Sequence, residues 1–552
     1  MAGRFLLRSG WMLFLAFSPS LLPPAASHAA TLLVPDDFPS IGAAIGASTT
    51  GDSVLIRPKR YVEYLVIGHD LTLVGLGAGA LLEGDLNHPQ DASMVRVHSP
   101  ARVHLSNLTV RYGAGLFGGG ILADGNSELH LNQVTIEGNG GACENGYVGT
   151  GGVSASRLFA MDCTFEGNSG AGGGAGALAI GEGEVRDCVF SYNSSIGHPI
   201  CGGGPGAVWA GDCLIENCRF TGNMGEGASA VLGNGHVTLR RCVFDEQRGA
   251  GDVPSTVVFL YGEASVIDHC RFSRNHYQAG LIQADYRSVT IRDCEFLEND
   301  GFGLPLIKGS VDIARSVFAR NTGDVAIECW GNSLIENCTF SDGTSITNGG
   351  IRVLQGSVTI RRSIFSHARG TAAIHCAAVV TGEIDCNVFW ENEVDYKGCL
   401  PGPNDFNADP LFCRPEAGDY RLRTDSPCLP PNSPAACGLI GALDLGCAPI
   451  GVAEGPVEVP APRLWPAVPS PVRTSARIPF DLPAPSSITL RIYDPQGRAV
   501  RTLAEGPFRG GRHTIDWDAR DARGRPVAAG AYVLRLEGAG FTRSSKLIVL
   551  HP

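Results

Sequence analysis

From about residue 100 to residue 390, the apolar positions of the chain recur in one pattern, with steps of roughly 20 to 30 residues. With Cys163 as reference, the pattern returns at Cys188, Cys218, Cys242, Cys270, Cys294, Ser316, Cys338, Ser363 and Asn387. Looser copies sit at Leu108 and Val134. Three positions before the reference the residue is apolar: Val185, Ile215, Leu239, Ile267, Ile291, Ile313, Ile335, Ile360 and Ile384. Two positions after it the residue is always Phe from Phe165 to Phe389, which places ten of the 23 phenylalanines in one column. Five positions after it stands Asn: Asn139, Asn168, Asn193, Asn223, Asn275, Asn299, Asn321 and Asn392.

Strand side chains alternate, so the reference and the Phe share one face of a strand. The apolar positions three and five before the reference share a face too. Between −3 and the reference two residues in succession point outward, so the chain turns a corner there. A third short strand follows the Asn column, as in Ala207-Val208-Trp209, Gly280-Leu281-Ile282 and Val325-Ala326-Ile327. Each repeat is thus a coil of about three strands that buries its inward residues only by stacking on its neighbours. The expected fold is all-β: a single-stranded parallel β-helix of about 12 to 14 coils, on the order of 60 Å long at roughly 4.8 Å per coil. Repeating helices are excluded by the Gly and β-branched residues that fill the segments.

The columns carry different expectations. The Cys column reads as small inward residues filling the core, with few disulfides inside it. Cys143, Cys201, Cys399, Cys413, Cys428, Cys437 and Cys447 lie off the column and are better candidates for pairing. The Asn column reads as a turn position with stacked amides. Two before the reference the charge alternates, as in Arg186, Glu216, Arg240, Asp268 and Arg292; this reads as a ladder that penalises slips by one coil. The outward residues of the third strand are Trp209, Gln283, Lys308, Glu328, Arg352 and His375. Lys308, Glu328, Arg352 and His375 form the best acid/base constellation in the chain, and the favoured reading of the same four residues is another charge-neutralising ladder, because structural ion pairs cluster too. Tyr147, His198, Trp209 and Gln283 are candidate binding residues; Tyr147 and His198 lie in Gly-rich insertions following the Asn column. No CxxC or similar clustered ligand motif indicates a metal site. No cofactor is implied; calcium has no motif to support it.

Composition and the chain ends sharpen this. The net charge is −12 with only four lysines, which argues against a nucleic-acid partner. Residues 1–29 read as a secretory signal: Arg4 and Arg8, an apolar run from Trp11 to Phe17, then Ser27-His28-Ala29 before a cut near Ala29. That run is too short to span a bilayer. Residues 30–447 form the rod, opened by a helix around Phe38 to Ile45 with Ser40 as cap and closed by a Cys- and Pro-rich cap from Asn404 to Gly446. Residues 448–470 are a Pro-rich linker. Residues 471–552 alternate in turn-bounded strands, an expected Ig-like antiparallel β-sandwich.

Four resemblances attach to these residues. The rod resembles the right-handed parallel β-helix (pectate-lyase-like) superfamily. Its Phe-x-x-Asn copies, such as Phe190 to Asn193, and runs such as Gly173-Gly174-Ala175 resemble polymorphic outer-membrane-protein repeats of surface adhesins. Gly51-Asp52 and Arg60-Tyr61-Val62-Glu63 resemble the opening coil of secreted β-helix proteins, including pectin methylesterases. The tail, with Tyr493-Asp494-Pro495-Gln496-Gly497, Trp517-Asp518 and Gly530-Ala531-Tyr532, resembles the flagellar-hook-capping type of Ig-like module and type IX secretion sorting domains. The Gly-His-Gly and Arg-Ile-Lys motifs of polygalacturonases do not occur. The resulting expectation is a secreted or bacterial surface protein, monomeric, with a binding or adhesive role towards polysaccharide or a surface partner. The alternatives are a polysaccharide lyase or glycoside hydrolase acting on an acidic polysaccharide, and a structural envelope component.

Overall fold

The computed structural model describes residues 29–448 apart from 78–79, 86–92, 116, 143–148, 196, 198–202, 250–253, 263, 346–348, 371 and 378–380, and residues 462–549 apart from 465–466, 468–471, 473–475, 484, 495, 509–510 and 539. It divides into two compact units, Met1–Leu445 and Gly446–Pro552.

The first unit is the expected parallel solenoid. In the coil around Cys218, the strand Val208–Glu216 forms a first face (208–210) and a second face (213–216); Arg219–Thr221 forms a third, and Met224–Gly225 a short link. Each face pairs in parallel with the same face of the next coil, as in Val208↔Val231, Ile215↔Leu239 and Phe220↔Phe244. The third-face sheet has 15 strands, from Lys59–Tyr61 to Phe406–Asn407. That exceeds the expected 12 to 14 because Tyr61 and Leu82 at the start and Asn407 at the end continue the Phe column in register without its residue pattern.

Two left-handed residues per coil produce the corners. One precedes the reference position, as in Asn217 (φ 55°), Arg241 (52°) and His269 (53°); the other lies four after it, as in Tyr192 (53°) and Gly222 (61°). Each one breaks the strand alternation, so the reference residue and the Phe both face inward. A non-glycine residue pays about 1 kcal/mol for that conformation, so something must offset it at every coil.

Buried ladders along the axis supply the offset. The Phe rings from Phe165 to Phe389 are buried and stack with centroids 4.6 to 5.3 Å apart and planes within 11° of parallel. Aromatic pairs left to themselves prefer offset or edge contacts, so this near-parallel stack is imposed by coil register and stabilised by burial. Asn168 donates its Nδ2 to Asn193 Oδ1 (2.9 Å) and to the Ile136 carbonyl (2.9 Å), while its backbone N–H also donates to Asn193 Oδ1 (3.0 Å). The same bonds join Asn193 to Asn223 and Asn275 to Asn299. Gln247 fills the column between Asn223 and Asn275 with its own amide.

The Cys column differs from its expected role as plain filler. Cys188 donates S–H to the Arg186 carbonyl (3.1 Å), and Cys270 Sγ accepts the Cys242 backbone N–H (3.4 Å). Ser316 makes the equivalent bonds, accepting from Cys294 N and donating to Ala314 O. The position therefore selects a small side chain that both donates and accepts, which is why Ser316, Ser363 and Asn387 replace Cys there. Every described Cys of the column is unpaired and buried. The disulfides lie off it: Cys376–Cys399 and Cys386–Cys437, with Cys413 and Cys447 also bonded. Cys428 is a buried free thiol, so it leaves the expected pairing set. Cys143 and Cys201 lie outside the described residues.

Several glycines of the supposed insertions sit within the stacked backbone. A Cβ on Gly119 would meet the Gly140 carbonyl oxygen at 2.3 Å, and one on Gly176 the Gly206 carbonyl oxygen at 2.0 Å. These positions admit no side chain. The charge ladder forms in register, with Arg240 to Asp268 at 3.4 Å and Arg361 to Glu336 at 3.1 Å.

The ends are covered differently. Helix Ile41–Ala47 begins at Ser40, whose Oγ accepts the Ala43 N–H (3.1 Å), and buries Ile41, Ala44 and Ile45 over the first coil. Phe406 and Asn407 complete the last third-face strand. The segment beyond them does more than close the end: it folds back along the outside of the third face. There Asn337 Nδ2 donates to the Leu439 carbonyl (2.8 Å) and Arg320 to the Pro415 carbonyl (3.1 Å). Leu422, Leu429 and Ile440 pack on Ile364 and Val388, and Tyr420 on Leu297, Val317 and Ala319.

The second unit is antiparallel. Its larger sheet joins Ser486–Tyr493 to Ala499–Phe508 and Gly530–Gly538, which pairs with Phe541–Val549; its smaller one joins Arg463–Leu464, Ala476–Leu482 and Gly511–Trp517. Phe480, Leu490, Trp517, Leu534 and Leu547 form its core.

Substitutions at two positions test the ladders. Asn193→Ala leaves buried partners unsatisfied and is expected to cost about 3 kcal/mol, read as a lowered denaturant midpoint. At position 242, Cys242→Ser should be tolerated better than the apolar Cys242→Val, measured the same way; the reverse order would restore the plain-filler role.

Candidate functional site

The first face presents one continuous outward row. Strand pairing aligns Leu122, Ser154, Ala179, Trp209, Leu232, Phe259, Gln283, Lys308, Glu328, Arg352, His375 and Lys397 on successive coils. Sequence reasoning placed Trp209, Gln283, Lys308, Glu328, Arg352 and His375 in this row, and the structure brings all six into it. Leu232, Phe259 and Lys397 were missed because their strands carry weaker repeats. Tyr147 and His198 lie outside the described residues.

The row has two halves of different chemistry. In the first, Ser154, Ala179, Ser156, Gly181 and Gly211 form a floor of small residues against which Trp209 stands, enclosing an open depression of about 280 Å³. Leu232 and Phe259 continue it, with the Phe259 ring 5.4 Å from that of Tyr261. Trp209 and Phe259 are two coils apart, roughly 10 Å, and neither is fully buried.

The second half is ionic. Arg352 donates its Nε to Glu328 Oε2 (2.8 Å) and also pairs with Asp324. Trp330 Nε1 donates to Glu328 Oε1 (2.7 Å). Glu328 and Asp324 are 6% and 9% exposed, so one guanidinium holds two nearly buried carboxylates. Burial opposes the charge on Arg352, yet the hydrogen bonds and charges of Glu328 and Asp324 outweigh it and raise the guanidinium further. Burial, aided by the charges of Lys397 and Arg352, pushes the His375 imidazole below its usual range and favours its neutral form. Asp324 escaped sequence reasoning because it lies at the bend before the strand, where no column repeats.

A carboxylate committed to a guanidinium and an indole N–H is poorly placed to take a proton from a substrate. The cluster is built as an ion-pair network, with Lys308 beside it in the same outward row. Elsewhere, His104, His130 and Phe159 stack on the second face with centroids 4.2 and 4.9 Å apart, beside Glu184 and Arg186. Among the described residues, the grouping with metal-ligand geometry is Asp268, His269 and Asp293. Its carboxylates already bind Arg240 (3.4 Å) and Arg315 (2.7 and 2.6 Å), which disfavours a cation.

A winding of parallel coils with ladders of this kind defines the class as a β-solenoid. The chain belongs to the right-handed beta helix region family, whose profile matches residues 119–276 and 255–400. Residues 472–540 match the FlgD Ig-like domain. A search of the curated proteins finds no match. Among solved structures, the chain is similar to dimeric latent PorU from Porphyromonas gingivalis at 25% identity over 16% of this chain and 9% of that one, with a TM-score of 0.15. It is similar to bacteriophage CBA120 tailspike protein 3 at 11% identity over 68% of this chain and 61% of that one, with a TM-score of 0.40. It is also similar to the Pseudomonas phage phi297 tailspike at 11% identity over 92% and 91%, with a TM-score of 0.26. The chain therefore spans less than two thirds of the first two. Among the described residues, no helix is long and apolar enough to cross a membrane.

Arg352→Gln should test the ion cluster. It removes the cation shared by two nearly buried carboxylates, with an expected cost of about 3 kcal/mol. It also removes a charge that depresses His375, so the His375 titration observed by NMR should move up.

Proposed function

We propose that this chain is a secreted or surface-attached protein whose rod holds an extended polysaccharide along the outward row of its first face. One observation carries the reading: an aromatic and small-residue half runs in register into a half bearing Lys308, Arg352, His375 and Lys397. Trp209, beside its shallow floor, suits the apolar face of a sugar ring. Gln283 and Lys308 follow within hydrogen-bonding reach of hydroxyl and carboxylate groups on the same extended chain. The row is open and long, as a polymer requires, and a small-molecule pocket would instead enclose its ligand. The Arg352 cluster acts here as a rigid, pre-paired wall, so binding does not have to reorganise it.

The test is retention of the purified full chain on immobilised acidic and neutral polysaccharides. Trp209→Ala should weaken binding roughly three- to tenfold, and Lys308→Ala should weaken only the binding of acidic polymers, with loss of its salt dependence. Release of reducing sugars or unsaturated ends, abolished by Lys308→Ala or His375→Ala, would establish degradation in place of binding. Unchanged retention in both variants would remove the first face from the function.

A further inference from the structure

The first strand of the rod, Thr31–Val34, pairs with Ser53–Ile56, and its entry is fixed at Ala30. The Ser53 N–H donates to the Ala30 carbonyl (2.8 Å), and the Ala30 nitrogen donates to Asp52 Oδ1 (2.6 Å). Asp52 is only 5% exposed. Its other oxygen accepts the Thr49 backbone N–H (2.7 Å) and the Thr49 hydroxyl (3.0 Å). Among the described residues no lysine or arginine is recorded as an ion-pair partner of this carboxylate. The backbone N–H groups of Thr49 and Ala30 hold this carboxyl below its ordinary range, so it carries its charge with hydrogen bonds alone and no cation opposite it. The donor closest to it is a backbone nitrogen near the start of the chain, preceded by small residues at Ser27 and Ala29.

We infer that Asp52 is the built-in receptor for a new amino terminus at Ala30, made by hydrolysis of the Ala29–Ala30 peptide bond. A signal peptidase would add water across that amide, leaving a carboxylate on Ala29 and an ammonium on Ala30. The ammonium then stands where the amide N–H stands now, at hydrogen-bonding distance from Asp52 Oδ1. The neutral contact becomes an ion pair, and the carboxylate gains a cation beside the two Thr49 donors it already holds. Ala29 and Ala30 are both exposed, so the bond between them is open to a peptidase. The hydrogen bond at the first coil thus becomes an ion pair only when the leader is removed. Asp52 lies at a coil edge remote in sequence from the first-face row, and this inference stands whether or not that row binds a polysaccharide.

The test uses the secreted chain and two recombinant forms, one starting at Ala30 and one retaining Ala29 ahead of it. Amino-terminal sequencing of the secreted chain should return Ala30. The form starting at Ala30 should unfold at higher denaturant than the form retaining Ala29, and Asp52→Asn, which keeps the acceptor oxygen but loses the charge, should abolish that difference. The α-amine of Ala30 should also resist reductive methylation at pH 8 in the native chain and react readily in D52N. A different mature terminus overturns the inference, and so does equal stability of the two forms with Asp52 intact. Equal amine reactivity in the native chain and D52N overturns it as well, even where D52N proves too unstable for denaturant titration.

Discussion

The whole rod depends on one constraint: like residues must lie on like residues, one coil above the next. A single coil has no interior of its own. Its Phe, Ile and Cys become buried only because the neighbouring coils present the same residues at the same place. The parallel Phe stack expresses that constraint, since its ring geometry follows the rise of the backbone ladder more closely than the preference of isolated aromatic pairs. Register is therefore set many times over by the inner columns, and the outer positions are released to carry chemistry.

The polar ladders do the complementary work. Each coil bends twice through left-handed residues, and most of these are not glycine. The bends leave backbone groups turned towards the interior, where water cannot reach them, and an unpaired buried group is expensive. Stacked Asn amides and the Cys or Ser side chains meet those groups coil after coil. The glycine-rich link removes side chains where backbone packs on backbone. The inner columns thus combine apolar burial with a continuous hydrogen-bonded spine, and neither part would hold the bends alone.

On the outside, the same register turns isolated residues into rows. Trp209, Leu232 and Phe259 lie far apart in sequence and one coil apart in space, as do Lys308, Glu328, Arg352 and His375. The pairing of Arg352 with two carboxylates changes what the second group can do. It converts a constellation that looks suited to proton transfer into a locked network, and leaves the aromatic half as the more open surface. The third face shows the same logic in reverse. Its outward positions change from charged residues such as Arg219 and Glu166 to Leu297, Val317, Ala319 and Ile364, because the segment after the last coil folds back over them.

The amino-acid sequence alone determined the winding of the rod, the identity of its inner columns, the alternating charge ladder and the membership of six residues in one outward row. It could do so because a solenoid repeats one environment, so each residue preference is displayed many times along the chain. Features that occur once left no such mark. The double engagement of Arg352 by Asp324 and Glu328, the small-residue floor beside Trp209 and the return of residues after Asn407 along the third face were decided only by the tertiary structure. The hydrogen-bonding role of the Cys column was visible in its Ser and Asn replacements, but it could be interpreted only once the neighbouring N–H and carbonyl groups were in place. Periodicity reports what every coil needs; a contact made once, between segments distant in sequence, is specified by where the packed chain happens to bring them.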